Sequence, residues 1–217
     1  MDYGSDGLEI DLPETATVLS MRDTPGLKEV DRQIEASLLE PIGSPSLREL
    51  VRGCGNACIV ISDITRPVPN KVILPPILRT LEEEGIARED IVILIGTGLH
   101  RPNEGDELDR LVGPEISRKY RVINHRAKEK QTLTFVGHTS AGAPIWIDSV
   151  YLQADLKIAT SLIEPHLMAG YSGGRKAICP GLMGGETMKV LHGPKLLAST
   201  NCSEGEIRNN PFHHQAV

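Results

Sequence analysis

The sequence predicts an α/β fold: a mainly parallel sheet with flanking helices, a small β excursion, and active-site loops at the carboxyl ends of the strands. Three observations predict it. Short continuous apolar runs, "ACIVIS", "DIVILIG" and "LKIATSLI", have the composition of strands buried on both faces. Helical patterns separate several of them. Polar, chemistry-bearing residues follow the runs directly, where an open parallel sheet binds its ligands.

Taken in order, "LEIDLP" (8–13) alternates and reads as a short opening strand. In "SPSLRELVRG", Ser46 stands three residues before Glu49, a capping-box pair, and Gly53 marks the stop. "ACIVISD" is the first buried strand. A helix lies within "NKVILPPILRTLEEEG", with Pro75 and Pro76 expected in its first turn and Gly85 at its end. "DIVILIG" (90–96) is the second buried strand, "NEGDELDRLVG" a short helix and "YRVINH" a third strand. "TLTFVGHT" and "PIWIDSVYL" read as a hairpin-like excursion around Gly142. "LKIATSLI" (156–163) is a further strand that runs straight into "EPHLMAGYSGGRKAICPG". No internal repeat and no low-complexity linker interrupts the pattern.

Composition narrows the function. A chain of 217 residues, 40% apolar and 24% charged, has enough apolar content for one or two ordinary globular domains. Aromatics at 3% make stacking on bases or sugars a poor binding mode. A net charge of −6 and a pI near 5.7 argue against nucleic acid and membrane surfaces as partners. No apolar run approaches a membrane span, and the start "MDYGSDGLEIDLPE" is acidic rather than signal-like. Cys54, Cys58, Cys179 and Cys202 match neither zinc-ribbon nor redox spacing, so they read as reduced thiols of a cytoplasmic protein. Cys54 and Cys58 do not complete a metal site, because no second pair joins them.

Each strand end carries a motif with a bland and a chemical reading. In "DITRPVPN", Arg66 either braces Asp63 or clamps a carboxylate or phosphate from a loop stiffened by Pro67 and Pro69. "GTGLHR" begins like a dinucleotide fingerprint, but Arg101 replaces the third glycine and no acidic residue caps a following strand. Gly96 and Gly98 then serve a tight turn, and His100 either bonds a loop carbonyl or moves protons. The third motif is not a phosphate loop of the G-x-x-x-x-G-K-[ST] kind, since Arg175 replaces the last glycine and Ala177 the hydroxyl. Its glycines (Gly170, Gly173, Gly174, Gly181, Gly184 and Gly185) interleave with apolar residues that look covered. Lys176 is either a solvated surface lysine or a perturbed, covalently modified amine between His166 and His192. His125, His138, His213 and His214 lack such context and read as surface or packing residues.

Together "DITRPVPN", "GTGLHR", "EPHLMAGYSGGRKAICPG" and "VLHGP" resemble, in order and spacing, the amino-terminal part of the nickel-dependent lactate racemase family, from about Val60 onward. The resemblance implies a nickel pincer cofactor, pyridinium-3-thioamide-5-thiocarboxylic acid mononucleotide, made by dedicated synthesis enzymes and absent from protein produced without them. It implies Lys176 as the covalent anchor beside Gly173 and Gly174, and His192 as the nickel ligand. It also implies His100 and His166 as paired acid/base residues, with Asp63 and Arg66 in the substrate site. The activity implied is racemisation or epimerisation of a small 2-hydroxy acid. Its α-hydrogen is a poor acid, so hydride leaves for the cofactor and returns to the opposite face, while a histidine serves each enantiomer. Family members continue through a second domain, so residues 1–217 are expected to be the amino-terminal catalytic and cofactor-binding domain without it. A different class remains open: a non-catalytic nucleotide- or phosphate-binding module that uses Arg175 and Lys176 as anion ligands.

Overall fold

The computed structural model describes residues 6–19 and 23–217. Its centre is a four-stranded parallel sheet: β1 (Ala57–Ser62), β2 (Ile91–Gly96), β3 (Arg121–Asn124) and a fourth strand, Leu156–Ala159, in the order β3-β2-β1 and then that strand. Two small antiparallel pairs accompany it. One is β4 (Leu133–His138) with β5 (Pro144–Asp148), the hairpin expected around Gly142, whose φ is +83°. Counting in chain order, Leu156–Ala159 is therefore β6. The second pair is β7 (Pro165–His166) with β8 (Gly170–Tyr171).

Both faces of the sheet are buried, as its continuous apolar strands require. Ile59 and Ile61 of β1, with Ile93 and Ile95 of β2, point to one face. There they meet α2 (Leu47–Val51), α3 (Asn70–Glu83), α4 (Asp106–Val112) and α5 (Pro114–Lys119), numbered after α1 (Val30–Leu39). Cys58, Val60 and Leu94, the alternate positions, point to the other face. That face is covered by β5, α7 (Gly185–Leu191), α8 (Pro194–Leu197) and α9 (Pro211–Ala216); α6 (Ser149–Gln153) adds Tyr151 and Leu152. The two-residue period of a strand thus divides one apolar run between two cores.

Three expectations need correction. Residues 8–13 form no strand: Leu8, Ile10 and Leu12 stay exposed, so the alternation finds no face to cover. Pro75 and Pro76 lie inside α3 rather than in its first turn, because the helix starts at Asn70, directly after Pro69. The helix tolerates them at the loss of the N–H groups that would reach the carbonyls of Lys71 and Val72. The strand expected over 156–163 stops at Ala159, where the chain leaves the sheet to build the loop before His166. The capping box does form: the Ser46 side chain accepts from the Glu49 N–H, and Glu49 accepts from the Ser46 N–H at 2.9 Å. All four cysteines are free. Among the described residues, no helix is long and apolar enough to cross a membrane.

Candidate active-site cleft

Strands β2, β1 and β6 deliver three loops to the same sheet edge, and a cleft of about 530 Å³ opens there. Arg66, His100, His166, Gly173, Lys176 and His192 all line it, with Asp63 beneath. Gly174 does not line it. Since β2 and β6 flank β1, the loops carrying His100 and His166 descend on either side of the loop carrying Arg66. Two strand spacings separate their origins, roughly 10 Å, about the span of a small ligand.

Asp63 is buried, and both its oxygens are engaged by the protein. Oδ1 accepts from the Thr65 N–H at 3.0 Å and from the Thr65 hydroxyl at 2.5 Å; Oδ2 lies 2.6 Å from His100 Nδ1. Besides lining the cleft, it orients an imidazole whose side chain is 55% exposed. With Nδ1–H donated to that carboxylate, the neutral form of the ring carries its lone pair on Nε2. The Arg66 guanidinium reaches only its neighbour Thr65, at 3.3–3.4 Å, and forms no ion pair with a carboxylate among the described residues. The bracing role weighed for it is thereby taken by Thr65 and His100.

His166 is held the opposite way. The N–H groups of Met168 and Ala169 both point at its Nδ1, each at 3.3 Å, which places the ring proton on Nε2. Burial, then the charges of Lys176 and Arg66, push its pKa down to about 4, so it is neutral at pH 7. Lys176 is depressed to about 8, by burial first and then by Arg66 and Arg175. His192 is lowered by burial and by Lys176, and its Nδ1 is buried without a hydrogen-bond partner. An otherwise acidic protein therefore concentrates cations and uncommitted nitrogens in one cavity.

The glycines serve packing before they serve any ligand. A Cβ on Gly173 would stand 2.7 Å from the Leu162 carbonyl oxygen, and one on Gly181 only 2.1 Å from that of Ala177. The loop's N–H groups are largely spent: Gly174 on Ser161 Oγ, Lys176 on Gly173, Ile178 and Cys179 on Arg175, and Gly181 on Lys176. A phosphate nest needs those donors free, so the segment is a poor match for one. Arg175, the other expected anion ligand, donates Nη2 to the Ala169 carbonyl at 2.8 Å.

Sequence reasoning missed Asn103. This buried side chain accepts from the Ile64 N–H at 3.1 Å, while its backbone exchanges hydrogen bonds with Asn124 at the end of β3. It fixes the loop of Asp63 and Arg66 from 39 residues away; only its place just after "GTGLHRP" signalled it. His125, for which the sequence left surface and packing roles open, is buried, with Asp148 Oδ2 at 2.8 Å and the Met183 carbonyl at 3.0 Å.

The chain is similar to known proteins in sequence and in fold. The chain is similar to the lactate racemase of Lactiplantibacillus plantarum, 36% identical over 85% of this chain and 43% of the relative. It is also 30% identical to the lactate racemase of Thermoanaerobacterium thermosaccharolyticum, over 99% of this chain and 51% of that one. The apoprotein structure of the lactate racemase from that organism superposes with a TM-score of 0.82 over 86% of this chain and 45% of its own, at 30% identity. A Thermotoga maritima protein shares the fold, with a TM-score of 0.68 at 22% identity. The chain spans about half the length of the curated relatives it matches. A family model, the lactate racemase N-terminal domain, matches residues 3–205, and the chain belongs to that family.

Proposed function

We propose that this chain is the cofactor- and substrate-binding part of a 2-hydroxy-acid racemase or epimerase, acting on lactate or a related acid, with a lysine-tethered nickel pincer mononucleotide. The observation that carries the reading is the gathering of Arg66, His100, His166 and Lys176, from the segments that follow three strands, and of His192, at the end of α7, into one cleft. The names of the two curated relatives support the same activity.

The residues fit the group. Among the described residues, no cluster of three or more His, Cys, Asp or Glu side chains is suited to hold a metal. A metal here would need donors from an organic ligand, with one protein nitrogen to complete the set. His192 offers a neutral imidazole, the protonation state a metal ligand requires, with Nδ1 uncommitted. Lys176 offers an amine shifted toward its nucleophilic form. When bound, the group supplies the reversible two-electron chemistry that an unactivated α-carbon demands.

The chain's own residues would do the rest. Arg66, with a free guanidinium fork, would take the substrate carboxylate in two parallel hydrogen bonds. The Nε2 lone pair of His100, fixed by Asp63, is placed to accept the hydroxyl proton. His166, neutral and carrying its proton on Nε2, would hydrogen-bond an oxygen presented from the other side. The two rings thus rest in complementary states, which suits a reaction that exchanges the faces of one carbon. A cytoplasmic setting shared with cofactor-synthesis enzymes belongs to the same reading.

Intact-mass measurement of protein made with those enzymes tests it. The expected result is a nucleotide-sized, nickel-containing adduct and racemisation of the acid, both lost in Lys176→Ala. A Lys176→Ala protein that keeps adduct and activity would overturn the assignment.

A further inference from the structure

We propose that Asn210, far from the motifs that define the cleft, is a positioning residue that holds His166 and His192 in register through one buried amide. The inference rests on reading those two imidazoles as the working groups of the cleft.

The turn from His166 to Gly170 presents His166, and its three last carbonyls are each taken by a different partner. Asn210 Nδ2 donates to the Met168 carbonyl at 3.0 Å, Arg175 Nη2 to Ala169 at 2.8 Å, and the Gly205 N–H to Gly170 at 2.9 Å. With those carbonyls held outward, the N–H groups of Met168 and Ala169 face His166 Nδ1. Met168 is the hinge of the argument: one peptide group grips the imidazole and the next is gripped by Asn210. Gly170 is wedged in the same place, since a Cβ there would stand 2.2 Å from the Glu206 carbonyl oxygen.

The other half of the amide reaches His192. Asn210 Oδ1 accepts from the N–H groups of Phe212 at 2.9 Å and His213 at 3.0 Å, which caps α9 and fixes its start. The Phe212 ring, fully buried, then meets His192 edge-on, with centroids 5.8 Å apart and planes at 76°. Nδ2 has a second acceptor in the Glu206 carbonyl at 3.0 Å, so the amide is fully satisfied and has one orientation. His192 has no hydrogen bond of its own to orient it. Its ring position depends on what packs against it, and Phe212 is part of that wall.

Asn210→Asp separates the two jobs. The carboxylate keeps the oxygen that caps α9 and loses both Nδ2 donors, setting an acceptor against the Met168 carbonyl. Nitrogen-15 imidazole spectra of the chain without added metal give the readout, with the remaining histidines of the seven as internal controls. In Asn210→Asp the His166 ring is expected to leave its Nε2–H form for a tautomer mixture, while His192, whose Phe212 wall keeps its cap, stays put. His100 and His125 should stay put. In Phe212→Leu, His192 alone should move. Unchanged His166 signals in a folded Asn210→Asp protein would overturn the proposal, as would His192 signals that stay put in Phe212→Leu or equal shifts at all histidines. If Asn210→Asp does not fold, Asn210→Ser, with a capping oxygen and no amide donor, takes its place; collapse of both assigns Asn210 to general stability and rejects the idea. Because the spectra need neither nickel nor turnover, failure of the racemase reading leaves this result legible by itself.

Discussion

At the scale of single residues, the cleft is a collection of groups whose charge states are set by what surrounds them. Lys176 is the clearest case. Its pKa falls from an ordinary 10.5 to about 8 through burial and the cations Arg66 and Arg175, so the fold favours the neutral amine. That contribution to stability is fully present above pH 10.5 and is lost as pH falls through about 8. Lys176→Met, which keeps the stem and removes the charge, should therefore raise the thermal midpoint at pH 7, and the gain should shrink as pH rises toward 10. A midpoint difference that stays constant across that range would contradict the depressed amine. Asp63→Asn makes a complementary test on His100. The new amide can donate to Nδ1, which drives the ring to the Nε2–H form and removes its accepting lone pair. In the cofactor-loaded enzyme proposed above, kcat should fall on the order of a hundredfold or more, with KM changed far less, because the contact proposed between Arg66 and the substrate carboxylate is left in place.

At the scale of elements, two segments carry departures from local propensity that mutation can measure. In the glycine-rich loop, Gly181→Ala places a Cβ 2.1 Å from a backbone oxygen, and should cost about 2–3 kcal/mol or more in urea denaturation. Gly174→Ala meets open space and only the strain of φ +52°, about 1–2 kcal/mol. If the two cost the same, conformational strain rather than close approach explains the glycines. In α3, Pro75 is exposed and leaves the Lys71 carbonyl without a helical donor, so Pro75→Ala should stabilise by about 1–2 kcal/mol. These same segments show what the sequence discloses. β1 and β2 were legible because five apolar residues in a row have no other comfortable place than a sheet covered twice. The cleft was legible because its motifs sit where those strands end. α7, α8 and α9 were not, since helices of four to seven residues repeat too few turns to show a period. Residues 8–13 show the reverse error, a strand pattern with no neighbour to pair. Nor could spacing disclose that Asp63 serves His100, or that Asn210 bonds Met168, 42 positions away, because such contacts exist only after folding.

At the scale of the whole molecule, the cleft depends on the second layer staying seated on the sheet, and His125 is the main polar rivet between them. It follows β3, its N–H continues the ladder to the Ile95 carbonyl at 3.0 Å, and its own carbonyl accepts from Thr97 Oγ1 at 2.8 Å, at the root of the His100 loop. Its ring spans the interface, with one nitrogen on Asp148 at the end of β5 and the other on the Met183 carbonyl, just past the glycine-rich loop. Met183 also bridges to Ile147 of β5, and the Asp148 N–H reaches the Leu182 carbonyl, so one imidazole secures hairpin and loop together. His125→Phe distinguishes polar fastening from space filling. The ring that replaces it is more apolar and of similar shape, so a site that needed only volume would gain or stay level. Losing the ring nitrogens takes the partner from the Met183 carbonyl and from Asp148 Oδ2, leaving that carboxylate only the Val150 N–H on Oδ1, and costs about 1–3 kcal/mol for each group left unpaired away from water. Net destabilisation of about 2 kcal/mol or more is therefore expected in urea, against the gain in apolarity. Hydrogen exchange should show where it falls: amides of residues 182–192 and of β5 lose protection first, while Ile59, Ile61, Ile93 and Ile95, sealed beneath α3 on the opposite face, exchange as slowly as before. Uniform acceleration across both faces would mean that the sheet and its second layer unfold as a single unit, and that His125 stabilises the whole rather than fastening the wall of the cleft.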